Sequence, residues 1–258
     1  MSPISSEAIG RLRTRTGVSI LACKEALEEA KGDEEKAIEI LRKRGIAQAA
    51  KKAARDQAEG RVFLKEDAQT VAMVLLRCET DFVARDDAFQ KVGRELVEML
   101  FSKDTPAAEK LAQEKVPELV QKLGENISVG EMHRIAAAVL GSYVHSNAKI
   151  GVIIGLDAGT VAQARDAAMH AAAMNPLYVS PKDVAGALVE KEKEIWREQL
   201  GKEGKPANIV EKIMLGKEKK FREESSLLTQ PFVKDPGKTV GAYLAPANVT
   251  AYIRVSVS

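Results

Sequence analysis

The sequence predicts an α+β chain: an N-terminal three-helix module, then two related strand-strand-helix subdomains, with an antiparallel helical hairpin inserted before the chain returns to the second subdomain. Three observations predict it. Residues from about 5 to 58 carry helix caps and apolar steps of three and four residues, with no strand pattern. The run 71–78, almost all apolar, suits a short strand buried on both faces, and 150–156 reads as a strand of a second hairpin. From 183 to about 224 the composition turns heavily charged around sparse apolar positions, as a protruding two-helix arm requires.

The elements follow in order. Ser19 is placed to cap a helix whose inward positions are Ile20, Cys23, Leu27 and Ala30, and Gly32 supplies the left-handed residue that ends it. Asp33 caps the next helix, which buries Ala37, Ile38 and Leu41 and stops at Gly45. Residues 47–59, rich in Ala, Lys and Arg, form a solvated connecting helix. Segments 61–64 and 70–78 make a hairpin around Glu66-Asp67-Ala68-Gln69, followed by a helix over about 86–101 whose Phe89, Val92, Leu96 and Leu100 mark one apolar face. A polar helical connector covers 105–123, with Pro106 and Pro117 near its turns.

The strand-strand-helix pattern then recurs. Segments 134–143 and 150–156 pair around Ser146-Asn147-Ala148, and an Ala-rich helix follows over about 160–174. A lone two-stranded hairpin is only marginally stable, so each pair has to lay an apolar face against its helix. The arm carries a thin seam of Val184, Leu188, Ile195, Ile209, Ile213 and Phe221, broken at Gly201-Lys202-Glu203-Gly204-Lys205-Pro206. Gln230-Pro231-Phe232, a short helix near 240–244 and a strand over about 249–257 that joins the second sheet complete the chain. The expected divisions are 1–58 for the helical module and its connector, 59–128 and 129–182 for the two subdomains, 183–226 for the arm, and 227–258 for the return to the second subdomain.

Composition excludes several functions. The chain has 39 Lys plus Arg against 37 Asp plus Glu, a net charge of +2, so no global basic field draws nucleic acid. Aromatic residues make up 4%, which leaves few stacking platforms for single strands. No direct nucleic-acid partner is expected. No apolar run approaches bilayer length, and Met1-Ser2-Pro3-Ile4-Ser5-Ser6-Glu7 lacks the regions of a signal peptide, so the expectation is a cytoplasmic protein with no membrane partner. Cys23 and Cys78 fall at apolar positions and read as small core hydrophobes.

The constellations of an enzyme are missing as well. No Gly-x-Gly-x-x-Gly or Gly-x-Ser-x-Gly segment occurs, and Gly237-Lys238-Thr239 has Phe232 where a phosphate-cradling loop needs glycine. His133, His145 and His170 are isolated and lack metal-site spacing. Neither catalytic residues nor a metal nor a cofactor is expected.

The most informative segment is Glu79-Thr80-Asp81-Phe82-Val83-Ala84-Arg85, which sets an acidic and a large aromatic side chain where a strand gives way to a helix. A loop there projects both outward. Taken alone, the segment suits plain folding duty as well: Thr80 or Asp81 caps the helix and Phe82 packs as a hydrophobic staple.

The string Thr80-Asp81-Phe82-Val83-Ala84-Arg85 resembles the signature of the bacterial translation elongation factor Ts family, guanine-nucleotide exchange factors for elongation factor Tu. Other segments agree in order: Leu12-Arg13-Thr14-Arg15-Thr16-Gly17, Cys23-Lys24-Glu25-Ala26-Leu27, Gly32-Asp33, Leu41-Arg42-Lys43-Arg44-Gly45, Ala50-Lys51-Lys52-Ala53, Gly124-Glu125-Asn126-Ile127, Gly141-Ser142-Tyr143-Val144-His145, Ile150-Gly151-Val152 and Gln230-Pro231-Phe232-Val233. The resemblance covers nearly the whole chain.

It implies a UBA-like form for the helical module, a coiled coil for the arm, and elongation factor Tu as partner, both GDP-bound and nucleotide-free. Phe82 is implied to wedge into an apolar gap in the partner's nucleotide-binding domain while Asp81, with Thr80 and Val83 shaping the turn, shifts the element that holds magnesium. Arg13, Ile20, Leu21 and Lys24 are implied to dock on the same domain, although Ile20 and Leu21 suit a core and Arg13 and Lys24 a solvated face equally well. Tyr143, His145 and Lys149 match the region that meets the partner's third domain. A turn histidine such as His145 is by default solvent-bonded, and Lys149 stands where the pattern has arginine, which keeps the charge and loses the bidentate geometry.

A dimer of the complex is compatible with the resemblance. Many members continue past the last strand into a further helix, whereas this chain stops at Val255-Ser256-Val257-Ser258. The expectation is a truncated chain or an affinity that rests on the remaining surfaces, with the wedge operating in either case. Two other readings compete: a non-enzymatic helical adaptor or scaffold whose arm recruits helices of other proteins, and an enzyme with a site invisible in sequence. Only the exchange factor needs Asp81 and Phe82 more exposed than folding asks.

Overall fold

The computed structural model describes residues 4–202 and 207–257, and the chain mixes helices with small sheets in an α+β fold. It divides into two compact units.

The first unit runs to Arg134 and takes in Val144–Gly151 and the chain from Val255. It opens with α1 (Ser6–Thr16), α2 (Ile20–Glu29) and α3 (Glu34–Lys52). Ser5, Ser19 and Asp33 each accept a backbone N–H of the first turn, from Ala8, Ala22 and Lys36, which satisfies one orphan donor at each helix start. Between α2 and α3 the left-handed step takes two residues, Lys31 at φ 55° and Gly32 at φ 89°. Leu12, Val18, Cys23, Ala26, Leu27, Ala37 and Leu41 form the core of this module. Ile20, expected to point inward, is exposed. Capping by Ser19 puts it at the first helical position, past the end of the inward stripe, and the buried apolar residue ahead of α2 is Val18.

The second helix break expected in this module does not occur. Helix α3 passes through Gly45 without stopping and continues to Lys52, taking up the first part of the segment 47–59 read as a separate connecting helix, whose last residue, Glu59, instead opens a strand. Gly45 is buried there because α3 lies close against α6 (Thr105–Leu123): a Cβ at Gly45 would come within 2.9 Å of the Pro117 carbonyl oxygen. The glycine permits a close approach between helices, which is its other common use. Pro117, expected near a turn, lies inside α6.

A three-stranded sheet follows in the order β1 (Glu59–Glu66), β2 (Thr70–Cys78), β3 (Ser128–Ala136). The first two strands are antiparallel, with Val62 opposite Leu75 and Glu66 opposite Val71. Asp67 shapes their turn by accepting the N–H of Gln69 and of Thr70 at 2.8 and 2.7 Å, a local bond that only a short acceptor side chain provides. Beyond β2 come the short helix α4 (Asp81–Arg85) and α5 (Asp87–Ser102). The predicted face of α5, Phe89, Val92, Leu96 and Leu100, is buried against Phe63, Val74 and Leu76. A fully buried Phe such as Phe89 contributes about 2–3 kcal/mol.

The second unit comprises Ile135–Tyr143 and Val152–Arg254. Its sheet has the order β4 (Val139–Val144), β5 (Ile150–Leu156), β8 (Val249–Ser256), so the terminal strand joins this sheet as expected. The single strand expected over 134–143 is instead two: β3 ends at Ala136, β4 begins at Val139, and they lie in different sheets. Alanine has little preference for a strand and little side chain to hold a register, and the switch falls within the run 136–138.

Helix α7 (Val161–Met174) is closed by a reciprocal Thr160–Gln163 capping box and buries Ala164, Ala167, Ala168 and Ala171. Gly141 lies directly under it, since a Cβ there would meet the α7 backbone at 2.2 Å. Helices α8 (Gly186–Lys202) and α9 (Ala207–Glu224) pack together through Trp196, edge-on to Phe221 at 5.9 Å, and through the Lys193–Glu218 ion pair at 2.8 Å. The break expected at 201–206 falls largely outside the described residues. The chain then forms β6 (Pro231–Phe232), β7 (Asp235–Thr239) and α10 (Val240–Leu244), with Phe232 stacked on Tyr243 at 4.4 Å.

Candidate functional site

At the end of β2 the chain turns through Glu79 and Thr80 into α4, so the expected projecting loop is a helix of five residues. Thr80 is its cap, accepting the Val83 N–H at 3.4 Å. Successive helical residues point about 100° apart, so so short a helix has only one inward face. Val83 and Ala84 occupy it and join the first unit's core. Phe82 therefore faces outward and is 82% exposed, so it packs as no staple. Beside it, Asp81 pairs with Arg85 four residues on at 3.0 Å, with 43% and 75% of the two side chains open to solvent. A pair so exposed is worth about 0.3–0.5 kcal/mol, which leaves the carboxylate free to change partner.

The seam is held from beneath by residues whose role the sequence did not reveal. The Glu125 carboxylate accepts three donors: the N–H of Glu79 and of Thr80, both at 3.0 Å, and the Thr80 hydroxyl at 2.6 Å. Glu79 returns the arrangement, accepting the Asn126 N–H at 2.6 Å and pairing with Arg55 at 3.4 Å. Asn126 is buried and donates its side-chain amide to the Arg55 carbonyl at 2.8 Å. The only sequence signal was that Gly124-Glu125-Asn126-Ile127 belongs to the resemblance. Cys78, just before the seam, is buried, and its thiol is pushed up to about 12 by that burial and by the nearby Glu125 and Glu59 carboxylates.

The other candidate residues stand apart from this turn in the chain. Ile20, Leu21 and Lys24 lie on α2 and Arg13 on α1, all exposed, with Ile20 at 57% and Leu21 at 66%. Tyr143 is partly buried near the end of β4 in the second unit, while His145 and Lys149 belong to the first. His145 is exposed in a tight turn, its N–H bonded to the Ile150 carbonyl at 2.9 Å and its carbonyl to the Ala148 N–H at 2.7 Å. Lys149 brings its ammonium to both oxygens of Glu59, at 2.7 and 2.6 Å. Among the described residues no group of His, Cys, Asp and Glu is arranged to hold a metal ion, and no helix is long and apolar enough to cross a membrane.

Comparison with known proteins adds an independent line. The family model described as Elongation factor TS matches residues 79–258, beginning at the seam itself. A protein from Marinobacter nauticus named Elongation factor Ts is 45% identical over 265 residues, covering 100% of this chain and 92% of that protein. Its namesake from Saccharophagus degradans is 46% identical over 264 residues, covering 98% and 91%. A more distant namesake, from Desulfovibrio desulfuricans, is 39% identical over 258 residues, covering 93% and 90%.

Proposed function

This chain belongs to the elongation factor Ts family, and from that premise we propose that Phe82 and Asp81 form a wedge that opens the nucleotide site of elongation factor Tu and dislodges its magnesium ion. The role is guanine-nucleotide exchange in translation elongation, which needs no bond chemistry from this chain.

The energetic task is definite. A GTP-binding protein holds GDP partly through a magnesium ion that bridges protein oxygens and phosphate. With a nanomolar dissociation constant and association near 10^6 per molar per second, unaided release takes on the order of a thousand seconds. Speeding release about ten-thousand-fold requires about 5.5 kcal/mol of preference for the nucleotide-released conformation over the GDP-bound one. Linkage makes the effect mutual: returning nucleotide weakens the grip of the exchange factor and lets it leave.

The observation that carries the reading is the exposure of Phe82 on a helix whose other apolar residues are sealed in the core. Burying that ring in a partner's apolar gap supplies about 2–3 kcal/mol, roughly half the requirement. Asp81, paired with an exposed arginine, supplies charge that competes for the donors or distorts the coordination around the metal. Thr80 and Val83 hold the turn in shape.

Docking is divided among the remaining segments. The module over 1–58 meets the nucleotide-binding domain through Arg13, Ile20, Leu21 and Lys24, and the exposure of Ile20 and Leu21 supports that assignment. The subdomain over 59–128 carries the wedge. Segments 129–182 and 227–258 present Tyr143, His145 and Lys149 to the partner's third domain. The chain works in the cytoplasm on GDP-bound and nucleotide-free partner, without direct contact to nucleic acid, and the complex is open to dimerisation.

Stopped-flow release of a fluorescent guanine nucleotide from elongation factor Tu, with and without the chain, tests the proposal. Acceleration by the parent that is lost in Asp81→Ala/Phe82→Ala is the expected result; a folded double variant as active as the parent removes the wedge.

A further inference from the structure

We infer that Glu125 is a positioning residue for exchange: acting through Thr80, it sets the direction in which Phe82 and Asp81 leave the body. The inference rests on the wedge reading of Phe82, and four observations on the seam carry it.

Phe82 has almost no hold of its own, being 82% exposed, so its direction is that of the backbone beneath it. That backbone is a helix of five residues, too short to be stable without its cap and its tertiary contacts. The cap is Thr80, and its hydroxyl has one proton to give. Because that proton goes to Glu125 at 2.6 Å, a lone pair is left turned toward the Val83 N–H. The same carboxylate takes the Glu79 and Thr80 N–H groups, at 3.0 Å each, so it holds three donors at the point where the chain leaves β2. Bonds to an ionised acceptor are shorter and stronger than neutral ones.

Glu125 is itself anchored on both sides. It follows Gly124, whose left-handed φ of 79° ends α6, and it precedes Asn126, whose N–H is held by Glu79 at 2.6 Å. Segments 79–80 and 125–126 thus clasp each other with one carboxylate each. Glutamine at 125 preserves size and one acceptor oxygen but turns an amide N–H₂ toward donors, so part of the clasp faces donor to donor and opens.

The test uses the full chain with Glu125→Gln, Thr80→Val and their combination, beside Phe82→Ala. Two readouts are taken: the maximal rate and half-saturating concentration for release of fluorescent GDP from elongation factor Tu, and amide hydrogen exchange at Glu79, Thr80 and Val83 in the free chain. Glu125→Gln is expected to lower the maximal rate roughly tenfold, with the half-saturating concentration changed by less than about twofold because the docking residues are untouched. Exchange at the three amides rises. Thr80→Val shows the same loss, Thr80→Ser restores the rate, and the combined variant is no slower than the worse single one, since both changes open one clasp.

A folded Glu125→Gln variant with the parent's maximal rate or the parent's amide protection overturns the inference. Should Glu125→Gln fail to fold, Thr80→Val with the parent's rate does the same. If Phe82→Ala releases GDP as fast as the parent, the wedge fails instead, and the amide protection in Glu125→Gln still decides whether Glu125 positions the seam.

Discussion

The Thr80 hydroxyl meets the Glu125 carboxylate at 2.6 Å across 45 positions of sequence, and this bond ties the chain leaving β2 to the chain leaving α6, two residues before the exposed ring of Phe82. A hydrogen-bonded base under an exposed side chain is what a lever needs, and it separates stability from activity at this site.

That separation can be measured. Asp81→Ala/Phe82→Ala removes one largely exposed ring and one exposed ion pair, so the thermal midpoint is expected to move by no more than about 2 °C. GDP release from elongation factor Tu is expected to slow on the order of 10- to 100-fold, the equivalent of an unburied phenylalanine. A midpoint that drops far more places Phe82 in the fold, and calorimetry alone decides that half.

Glycines in two helices should respond with opposite sign. A Cβ at Gly93 on α5 would meet the Phe63 ring at 2.2 Å, whereas one at Gly10 on α1 has nothing within 4 Å. Gly93→Ala is expected to destabilise by about 1–3 kcal/mol, because the buried ring has to move within a packed core. Gly10→Ala, in a solvated helix interior, is expected to stabilise by about 0.5–1 kcal/mol. Urea denaturation of the two variants compares them directly.

His170 makes stability depend on pH. The ring is sealed from solvent, with Nε2 at 2.9 Å from the Gln230 side-chain oxygen and Nδ1 accepting the Val233 N–H at 3.3 Å. Burial holds its pKa below the ordinary 6.5, against the opposing pull of Gln230. As pH falls through 6.5 the unfolded chain takes up a proton that the native ring resists, so the unfolded state binds more protons and stability falls. The loss begins near the unfolded value, proceeds at no more than about 1.4 kcal/mol per pH unit, and levels off below the depressed native value. His170→Gln is expected to flatten this part of the profile between pH 7 and 5, and an unchanged slope removes His170 as its source.

Both cysteines should be silent in the native chain. Cys23 and Cys78 are free and buried, and the Cys78 thiol is pushed up to about 12, chiefly by burial. A thiol that stays protonated is a poor nucleophile. Titration with an aromatic disulfide reagent is expected to find no rapidly reacting thiol at neutral pH and two after denaturation; fast native labelling of Cys78 contradicts the packing around the seam.

What could be read from sequence was local. The Ser19 and Asp33 caps, the apolar stripe Phe89, Val92, Leu96 and Leu100, and the hairpin turn at 66–69 each depend on neighbours within a few residues, and such patterns survive in a linear string. The order of motifs placed the chain in its family by the same means. The errors share a different cause. Gly45 reads as a helix stop until α6 lies against it, Ile20 reads as core until the end of the stripe is known, and the run 136–138 shows no break until two sheets claim its ends.

At Phe82 the chain's order of residues left two outcomes open, a staple or a projecting ring. Periodicity determined only the helix over about 86–101, with Thr80 or Asp81 a candidate cap ahead of it; tertiary packing made the turn after Thr80 a short helix of its own and decided which side of it is buried. Val83 and Ala84 reach the core first because α5 and the sheet lie on that side, and a helix of five residues has no second buried face for Phe82. The partnership of Thr80 with Glu125 likewise exists only after α6 brings residue 125 back to the seam, since hydrogen bonds between distant segments are fixed by chain closure and leave no period in the sequence.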